Sequence, residues 1–505
     1  MGVRVALFSV GVLARSLKEN ERRLPVHPLH LDRIDASLRQ SVYLEQGYGQ
    51  EFGIPDEQLT GRVAGMRSRA ELLADCDVIV LPKPLPEDLR QMRQGQVLWG
   101  WPHCVQNEEI TQLGVDRRLT LIAFEAMHHW SGDGSFNLHV FHENNELAGY
   151  CSVLHAMQLM GSTGAYGRSL RAAVISFGAA GRGAVTGLMA LGVTGIHVLT
   201  HRPVTAVAAP GPSVRMVQFE RDPADPARCL VPGGDGRVPM AAYLAGFDIV
   251  VNCVLQDTGA PLMFVTEDDL ALFMPGALIV DVSCDAGMGF GWARPTSFKD
   301  PMFTVGDNIG YYAVDHSPSL LWDSATWEIS EALLPYLQTV LGGPAAWDSN
   351  ETIRRAIEIR DGVIHNPAIL SFQHRAPGYP HPLLPLAPRP GGAPGERPPP
   401  VARAASRPSR QDGSTATIRS GVPGHDDGTA IVRLRRGKLV DGPSGQRVWD
   451  QTTEGPYEIV CPGCGDDPNR DWSEISAELR RIRGIYGTKA GAEAALMDHI
   501  GMETR

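Results

Sequence analysis

The chain lacks any apolar run long enough to cross a membrane, and it is short of cysteine and of positive charge. A membrane-spanning helix needs about eighteen or more uninterrupted apolar residues, and no segment approaches that length. The 8 cysteines are scattered through 505 residues, unlike the dense disulfide framework of small secreted domains. The formal net charge of -11 argues against a nucleic-acid partner, because binding to phosphates needs a basic face. These absences predict a cytoplasmic protein that binds neither a membrane nor a nucleic acid.

The length of the chain predicts two or three domains, since one ordinary core does not extend over so many residues. Strand-like apolar runs alternate with helical stretches from the start of the chain, which indicates a parallel sheet with helices on both faces. The first of these runs is interpreted as a buried strand rather than a signal peptide, because no small-residue cleavage site follows it. The predicted strands lie at residues 3–10, 41–44, 77–81, 96–101 and 119–124.

Residues 171–202 carry the most informative pattern, which predicts a strand, a tight turn, a helix and a second strand. Such a unit directs backbone N–H groups and the positive end of a helix dipole at the turn, where a dinucleotide pyrophosphate binds. Gly178 and Gly181 occupy two of the three glycine positions of the G-x-G-x-x-G pattern, and Ser176 replaces the first. The alternative is that these glycines only allow the strand and the helix to pack closely.

The end of the second strand predicts which nucleotide binds. An NAD site usually has an acidic side chain about 20 residues after the glycines, where it accepts from the ribose hydroxyls. Here that place holds Thr200, followed by His201 and Arg202. No carboxylate is present to repel a 2′-phosphate, and Arg202 can bind one through a charge-assisted fork, so the pattern favours NADPH over NADH. The alternative is a solvated basic turn.

Three polar residues follow predicted strands in the first part of the chain. Lys83 comes after the run 77–81, His103 after the run 96–101, and Arg23 in the loop after the first strand. Ligands of parallel sheets bind beyond the carboxyl ends of the strands. Singly, a lysine or a histidine there is more often solvated or structural. Together, two cations for a carboxylate and a histidine for proton transfer suit a 2-oxo acid.

Two carboxylates follow the predicted strand 277–282, at the carboxyl edge of the nucleotide sheet. They are Asp281 and Asp285, and the glycines after them permit close approach to a ligand. A carboxylate near a nicotinamide can hold a proton or orient an ammonium group. The alternative is an aspartate that caps a turn.

The predicted fold class is α/β, with two Rossmann-like doubly wound parallel-sheet domains, a cleft between them, a disordered linker and a small C-terminal α+β appendage. The first domain is expected to be discontinuous, so that a hinge at each crossing closes the cleft and excludes water. The linker is assigned from its Pro, Gly, Arg and Ser content. The predicted boundaries are 1–142 plus 311–345 for the substrate domain, 143–310 for the nucleotide domain, 376–428 for the linker and 429–505 for the appendage.

The appendage is predicted to contain strands at 430–434 and 457–460 and a helix at 473–486. Its Cys461 and Cys464 form a C-P-x-C pair that supplies half of a zinc site. Structural zinc needs four ligands and no second pair exists, so a free-thiol turn, or a metal shared between two chains, is the favoured interpretation.

About the first 345 residues resemble the alanine dehydrogenase and transhydrogenase amino-terminal superfamily, and within it the N5-(carboxyethyl)ornithine synthases. The linker and the appendage lie outside this resemblance. The motifs that carry it occur in order across two predicted domains and are ERRLPVHP, YLEQGYGQEFGIPDEQ, GQVLWGWPH, ELAGY, LIVDVSCDAG and YYAVDHSPSL.

The resemblance implies roles for four of the residues named above. Arg23 and Lys83 would hold the carboxylate and the carbonyl of pyruvate. His103 would be the acid/base histidine, and Asp285 the aspartate beside the nicotinamide. A homo-oligomer is also expected.

Further positions follow from the resemblance alone. Asn145, in ENNEL, falls where these proteins touch the cofactor phosphate, and His316 stands near the nicotinamide where asparagine is usual. Thr200 replaces the acidic residue of alanine dehydrogenases, which agrees with the NADPH prediction.

The expected reaction is an NADPH-dependent reductive condensation of pyruvate with the side-chain amine of ornithine or a related amino acid. The amine attacks the C2 carbonyl, water leaves, and hydride from NADPH reduces the iminium. A lysine-like amine has a pKa of about 10.4, so its deprotonation at pH 7 costs about 4–5 kcal/mol. A base in the cleft, His103 or Asp285, must therefore take that proton.

Three other functions stay open. The first is an alanine dehydrogenase that uses ammonia and NAD, and the second is a saccharopine-type dehydrogenase that uses a different oxo acid. The third is a non-catalytic nucleotide-binding adaptor whose appendage recruits a partner. The choice of cofactor and amine separates the enzymes, and the set Arg23, Lys83, His103 and Asp285 argues against the adaptor.

Overall fold

The computed structural model describes residues 7–204, 214–234, 236–257 and 260–385, and the backbone of six further strands between residues 415 and 486. The chain divides into two units, Met1–Pro390 and Gly391–Arg505. The first unit contains two sheets that match the predicted α/β class.

The first sheet forms from the apolar runs that follow one another at the start of the chain. Its central strands are rich in Val, Ile and Leu and are buried throughout, as expected of parallel strands covered by helices. The strands are β1 Val10–Val12, β2 Val42–Glu45, β3 Gly65–Arg67, β4 Val78–Leu81, β5 Val97–Gly100 and β6 Thr120–Ala123, followed by the hairpin β7 His128–Trp130 and β8 Phe136–His139. The helices are α1 Ala36–Arg39, α2 Asp56–Leu59, α3 Arg69–Asp75, α4 Pro86–Gln91, α5 Glu108–Asp116 and α6 His142–Leu159.

The first strand was predicted too early. Within the described residues it begins at Val10 rather than at residue 3, and it pairs in parallel with β2 and β4. Ser9 explains this start, because its N–H and its hydroxyl both donate to the Asp77 carboxylate, at 2.9 and 2.8 Å. These bonds anchor the chain just before the strand and set its register beside β4.

The second sheet forms around the strand, turn and helix predicted for residues 171–202. All its pairs are parallel except the last, and its order is β11-β10-β9-β15-β17-β20-β19. Its elements are β9 Arg171–Ile175, α7 Ala179–Ala190, β10 Gly195–Thr200, β11 Val214–Gln218, α8 Met240–Leu244, β15 Ile249–Asn252, β17 Leu278–Asp281, β19 Met302–Val305 and β20 Ile309–Tyr312. Short strands flank it at β12 Glu220–Arg221, β13 Cys229–Gly233, β14 Gly236–Pro239, β16 Met263–Val265 and β18 Gly289–Phe290.

The second segment of the first domain begins after residue 311 and ends after residue 345, the two boundaries predicted for it. Strand β20 still belongs to the second sheet, and two strands beyond residue 345 complete the first, in the order β22-β21-β6-β5-β4-β1-β2-β3. They join antiparallel to β6 and to each other, and so cover an edge of the sheet. The returning elements are α9 Trp322–Leu333, α10 Leu337–Leu341, α11 Pro344–Ser349, α12 Glu351–Ala356, β21 Ile357–Arg360, β22 Val363–Ile364 and α13 Pro367–Phe372.

Helices α6 and α7 cross at two glycines. A Cβ atom at Gly183 would overlap the carbonyl oxygen of Glu146, and one at Gly149 would overlap that of Ala180. Only glycine permits backbones to approach so closely. The crossing fixes the long helix α6 beside the nucleotide turn, while Asn144, near the N-terminal end of α6, bonds to Arg23.

The predicted linker starts too early. Residues 376–385 are folded against the first unit, where Ala376 donates its N–H to Pro382 O at 2.9 Å and His381 is buried. Residues 386–414 and 420–428 lie outside the described residues.

The second unit contains the two strands predicted for it. Its four-stranded antiparallel sheet has the order β23-β24-β27-β28, and β25 and β26 form a separate hairpin. Most of the predicted helix at 473–486, together with Cys461 and Cys464, lies outside the described residues, and its last two residues are in β28. The strands are β23 Thr415–Arg419, β24 Thr429–Arg436, β25 Lys438–Asp441, β26 Arg447–Asp450, β27 Tyr457–Val460 and β28 Ile485–Tyr486.

Among the described helices, none combines the length and apolar character that a bilayer crossing requires. The six cysteines in the described part of the first unit are free thiols. The described residues contain no group of three or more His, Cys, Asp or Glu side chains that could hold a metal ion.

Candidate active site

The loops that follow β4 and β5 bring the predicted lysine and histidine into direct contact. Lys83 Nζ lies 2.7 Å from His103 Nε2. The two strand ends approach closely because Gly100 has no side chain, and a Cβ there would overlap Leu81 O. Trp101 then donates its N–H to Pro82 O at 2.9 Å, which holds the two loops together.

Burial controls the charge of this pair. Burial lowers the pKa of Lys83 from its ordinary value, and the negative charge of Asp315 only partly opposes that effect. Burial and then the Lys83 charge lower the pKa of His103 well below its ordinary value. His103 is therefore neutral at pH 7, and its Nε2 accepts a hydrogen bond from Lys83.

The backbone of His103 and its second ring nitrogen, Nδ1, also have defined surroundings. Its φ of 49° lies in the left-handed region, which is costly for a residue with a side chain and is typical of functional sites. Its N–H donates to Glu125 Oε1 at 2.6 Å, and its Nδ1 lies 3.8 Å from the same oxygen. The His103 side chain keeps 43% of its surface exposed, so a substrate can reach it.

Arg23 is buried and already engaged by protein groups. Its Nε and Nη2 donate to the two oxygens of Glu21 at 2.8 and 2.5 Å, and its Nη1 donates to Asn144 Oδ1 at 3.1 Å. Its guanidinium also lies 5.3 Å from the ring centroid of Trp101. These bonds use three of its five N–H groups. Sequence reasoning missed Glu21, although it stands two residues from Arg23 in the same motif.

Glu21 is ionised in spite of its burial. Burial alone raises its pKa, but the Arg23 charge and the hydrogen bonds from Arg23 outweigh this and lower the net pKa. The result is a rigid ion pair that aims the remaining guanidinium N–H groups in one direction.

Asp285 reaches this cluster from the second sheet. Burial raises its pKa to about 6, and a hydrogen bond with the Gln106 side chain opposes the rise. Gln106 follows His103 and donates its own N–H to His103 O at 3.2 Å. The charges of Lys83 and Asp285 both act on the nearby thiol of Cys284. Gln106 thus links Asp285, after strand β17, to the loop that carries His103.

Asp281 does not belong to this cluster, contrary to its prediction as a cofactor residue. It is fully buried, and its carboxylate accepts from Asn252 Nδ2 at 2.9 Å, Tyr311 Oη at 2.7 Å and Cys284 N at 3.1 Å. Burial raises its pKa to about 6, and these bonds oppose the rise. Asp281 therefore organises the strand end that carries Asp285, and has no surface left for a cofactor.

His316 is likewise occupied by protein groups rather than open to a nicotinamide. It is buried, its Nε2 lies 2.6 Å from Glu19 O, and its Nδ1 lies 2.6 Å from Asp315 Oδ1. Sequence reasoning missed Asp315, which also pairs with Lys18 Nζ at 2.5 Å. Burial raises the pKa of Asp315, but the His316 bond and the lysine charges outweigh it and hold the pKa well below the ordinary value. These contacts tie the segment after β20 to the loop that holds Arg23.

The turn between β9 and α7 fits a dinucleotide phosphate. Ser176 adopts a φ of 79°, the left-handed conformation for which glycine is usual at this position. A Cβ at Gly181 would overlap Ser176 O, whereas one at Gly178 would meet no atom within 4 Å. The turn is therefore closely packed at Gly181 and has open space beside Gly178. The twelve-residue helix α7 begins there, and the N–H groups of its first turn have no partner within the helix.

The residues after β10 lie where the sequence analysis expected a 2′-phosphate. Thr200 is buried, and its Oγ1 accepts the N–H of Arg202 at 3.1 Å. His201 and Arg202 are exposed, and Arg202 Nη2 reaches Phe177 O, at the nucleotide turn, at 3.4 Å. Thr200 thus orients the basic residue that follows it.

Two neighbouring asparagines near the start of α6 differ in burial and in hydrogen-bond partners. Asn145, the predicted phosphate contact, is half-buried, and its N–H donates to Phe141 O at 3.0 Å. Asn144 is buried and bonds to Arg23. Sequence reasoning missed Asn144, for which the run of two asparagines was the only signal.

An α/β unit with a dinucleotide turn, and with a Lys–His pair and an aspartate brought together from two sheets, defines the class of nicotinamide-dependent oxidoreductases. Comparison with known families gives the same class. Residues 11–143 match "Alanine dehydrogenase/PNT, N-terminal domain" and residues 227–367 match the C-terminal domain of the same family, together more than half of the chain. The chain belongs to the alanine dehydrogenase/PNT family of oxidoreductases.

Curated relatives include two kinds of enzyme. The chain is 25% identical over 323 residues to the N(5)-(carboxyethyl)ornithine synthase of Clostridium botulinum, which covers 62% of this chain and 89% of that protein. It is 25% identical over 361 residues to the alanine dehydrogenase of Mycobacterium tuberculosis, with 69% and 92% covered.

Solved structures share the fold. An L-alanine dehydrogenase superposes with a TM-score of 0.57 at 19% identity, over 72% of this chain and 98% of that one. The transhydrogenase from Sinorhizobium meliloti superposes with a TM-score of 0.54 at 21% identity, over 71% and 99%. The resemblance to this fold inferred from sequence motifs is confirmed.

Proposed function

We propose that the protein catalyses the NADPH-dependent reductive condensation of pyruvate with the side-chain amine of ornithine or a related amino acid. The observation that carries the proposal is the 2.7 Å contact of Lys83 Nζ with His103 Nε2. The Arg23 charge acts on the same histidine, and Asp285 hydrogen-bonds with Gln106 in the loop after it. The printed name of the Clostridium botulinum relative supports the amine and the condensation.

Arg23 and Lys83 would bind the oxo acid. The Glu21 pair and Asn144 hold the guanidinium so that its remaining N–H groups face a carboxylate in one orientation. Lys83, whose pKa burial lowers, would donate to the carbonyl oxygen and draw charge from C2.

His103 and Asp285 would handle the protons. The neutral imidazole can take the proton that the attacking amine must lose, and can return one when water leaves. Asp285, with a pKa of about 6, is mostly ionised at pH 7, where it can hold an ammonium group or accept its proton.

The cofactor would lie on the turn formed by Ser176, Gly178 and Gly181, with Arg202 and His201 at its 2′-phosphate. When bound, the reduced nicotinamide supplies the hydride for the imine carbon. The exposed Arg202, oriented by Thr200, supports NADPH over NADH, because no acidic side chain follows β10 at this place.

An assay panel tests this proposal. Pyruvate is combined in turn with ornithine, lysine and ammonium, oxidation of NADPH and of NADH is followed, and each product is identified by mass. Fastest oxidation of NADPH with an amino-acid amine, giving a carboxyethyl adduct, is expected. Lack of turnover with every amine, although NADPH binds, would instead identify an adaptor.

Alanine dehydrogenase is the second candidate, because curated relatives with the same two domains carry that name. In the same panel it would give alanine from ammonium, with NADH oxidised faster than NADPH. The two reactions share the proposed roles of Arg23, Lys83 and His103, so the amine and the cofactor alone separate them.

A further inference from the structure

A second charged pair lies on the loop that carries Arg23, and it is open to solvent. Lys18 Nζ donates to Asp315 Oδ2 at 2.5 Å, and the two side chains keep 26% and 24% of their surface exposed. The Arg23–Glu21 pair of the same loop is closed by contrast, with 2% and 0% exposed. A dissolved molecule can therefore reach the Lys18–Asp315 pair, which takes no part in the binding of the oxo acid proposed above.

Backbone bonds place Lys18 beside the proposed oxo-acid site. Ser16 Oγ donates to Lys83 O at 2.5 Å and accepts the N–H of Lys18 at 3.0 Å. Lys18 O in turn accepts the N–H of Glu21 at 3.2 Å, in the segment that continues to Arg23. One loop thus carries Lys18 and the buried guanidinium, and a single serine joins this loop to the lysine proposed to bind the carbonyl oxygen.

Asp315 approaches the same loop from the segment after β20, and its orientation is fixed. Its Oδ1 lies 2.6 Å from His316 Nδ1, and the buried His316 places its Nε2 2.6 Å from Glu19 O, next to Lys18 in the chain. Burial raises the pKa of Asp315, but the His316 bond and the lysine charges hold it well below the ordinary value. The carboxylate is therefore ionised at pH 7 and points in one direction.

The charge of Asp315 also acts on the two residues of the proposed reaction centre. Burial lowers the pKa of Lys83 and of His103, and the Asp315 charge partly opposes this in both cases. The exposed pair and the buried Lys83–His103 pair are thus neighbours, held together by the Ser16 bonds.

We propose that Lys18 and Asp315 bind the zwitterionic end of the amino-acid donor, with Lys18 at its α-carboxylate and Asp315 at its α-ammonium group. The inference rests on the proposed function and names the groups that select the donor. A cation and an anion held side by side are complementary to the adjacent α-carboxylate and α-ammonium groups of an amino acid. The pair need not separate, because an ammonium group has three N–H donors and a carboxylate accepts several hydrogen bonds.

This arrangement favours an amino-acid donor over ammonia. The side-chain amine of the donor reaches towards Lys83 and His103, while its α end stays on the exposed pair. Ammonia has no α end, so the pair offers it no binding energy. The alternative is a structural ion pair that only joins the segment after β20 to the loop.

Three donors with the same reacting amine test each half of the pair separately. Ornithine carries both α groups, δ-aminovalerate lacks the α-ammonium group, and putrescine lacks the α-carboxylate. For each donor, kcat/KM is measured with pyruvate and NADPH, and lysine is measured in the same way with ε-aminocaproate and cadaverine. The wild type should prefer the amino acid over each analogue by about 10–100-fold, the range for loss of one charge-assisted hydrogen bond.

The two variants should give a crossed pattern. Lys18→Gln should reduce the preference for ornithine over putrescine to about threefold or less, and keep the preference over δ-aminovalerate. Asp315→Asn should do the reverse. Each ratio is taken within one variant, so a general loss of turnover or folding cancels. The control Lys299→Gln removes the charge of an exposed lysine and should keep both ratios. Absence of the crossed pattern in either variant would overturn the proposal.

A binding measurement separates this inference from the proposed function. A wild type that turns over ammonium, but neither ornithine nor lysine, would refute the proposed function. Calorimetric titration of the full chain with ornithine, in the presence of NADPH and without pyruvate, then decides the inference alone. Binding that Lys18→Gln weakens about tenfold or more, and that Lys299→Gln leaves unchanged, is expected. No binding to the wild type, or equal binding to Lys18→Gln, would contradict the assignment.

Discussion

The two large sheets of the first unit contribute different kinds of group to the candidate site. At the first sheet, ionisable side chains are bonded to one another, as in Arg23 with Glu21 and Lys83 with His103. At the second sheet, the turn between β9 and α7 presents backbone N–H groups around small residues, with open space outside Gly178. The paired side chains of the first sheet suit acid/base chemistry, because burial and pairing shift each pKa. The backbone N–H groups at the second sheet suit phosphate binding, because they do not lose their protons as the pH changes.

Replacing the proposed acid/base groups should have the largest effect on turnover. His103→Ala and Asp285→Asn are each expected to lower kcat by about 10²–10⁴-fold, because each removes a proposed acid/base group. NADPH should still bind, since the nucleotide turn is untouched. Turnover is measured by NADPH oxidation and binding by cofactor fluorescence. Near-normal rates in either variant would remove that residue from the mechanism.

The crossing of α6 and α7 should be the most sensitive point for stability. Gly183→Ala is expected to destabilise the fold by about 3 kcal/mol or more, because its Cβ would overlap Glu146 O and the helices would have to separate. For a unit of this size, this corresponds to a fall in Tm of about 4 °C, measured by calorimetry. Gly187→Ala on the same helix is the control, since its Cβ would lie 3.2 Å from Tyr150 O. Equal losses in both variants would refute the role of the close crossing.

Cofactor preference should change by an intermediate amount. Arg202→Ala is expected to lower the ratio of kcat/KM for NADPH to that for NADH by about 10–100-fold, the value of a charge-assisted bond of about 1.5–3 kcal/mol. Arg168→Ala removes the same charge from an arginine that pairs with Asp248, and should leave the ratio unchanged. A parallel loss with both cofactors in Arg202→Ala would contradict a 2′-phosphate contact.

The acid limb of the pH profile should show the smallest effect. Since Asp285 has a pKa of about 6 and is proposed to act ionised, kcat/KM should fall as the pH drops below about 6 and the carboxylate takes up a proton. The Gln106 bond lowers this pKa, so Gln106→Ala should move the acid limb upward by about half a pH unit. Gln91→Ala, on the exposed face of α4, is the control. A limb that moves downward would show that Asp285 is not the group that titrates.

Most of the architecture could be predicted from local patterns. The mainly apolar runs of β4, β5 and β6 and the glycine turn after β9 each specify their own structure through burial and backbone freedom. The polar residues at the strand ends were predictable as well, because parallel strands always present their carboxyl ends to the same edge. The first strand was misplaced because its start depends on Ser9 binding Asp77, a residue 68 positions away.

The partners of the site residues could not be predicted. Asp281 and Asp285 look alike in sequence, yet Tyr311 and Asn252 occupy the first, and Gln106 of the other sheet contacts the second. His316 similarly proved to be a link to Glu19.

The amino-acid sequence by itself determined the parallel strands of the two sheets, the nucleotide turn with its serine in place of glycine, and the positions of the strand-end lysine and histidine. These depend on contacts within a few residues, or on alternation that any parallel sheet shares. Only the tertiary structure decided which carboxylates are paired and which have their pKa raised by burial. A pKa depends on burial and on charges brought together from distant parts of the chain, as Glu358 is brought to Glu125.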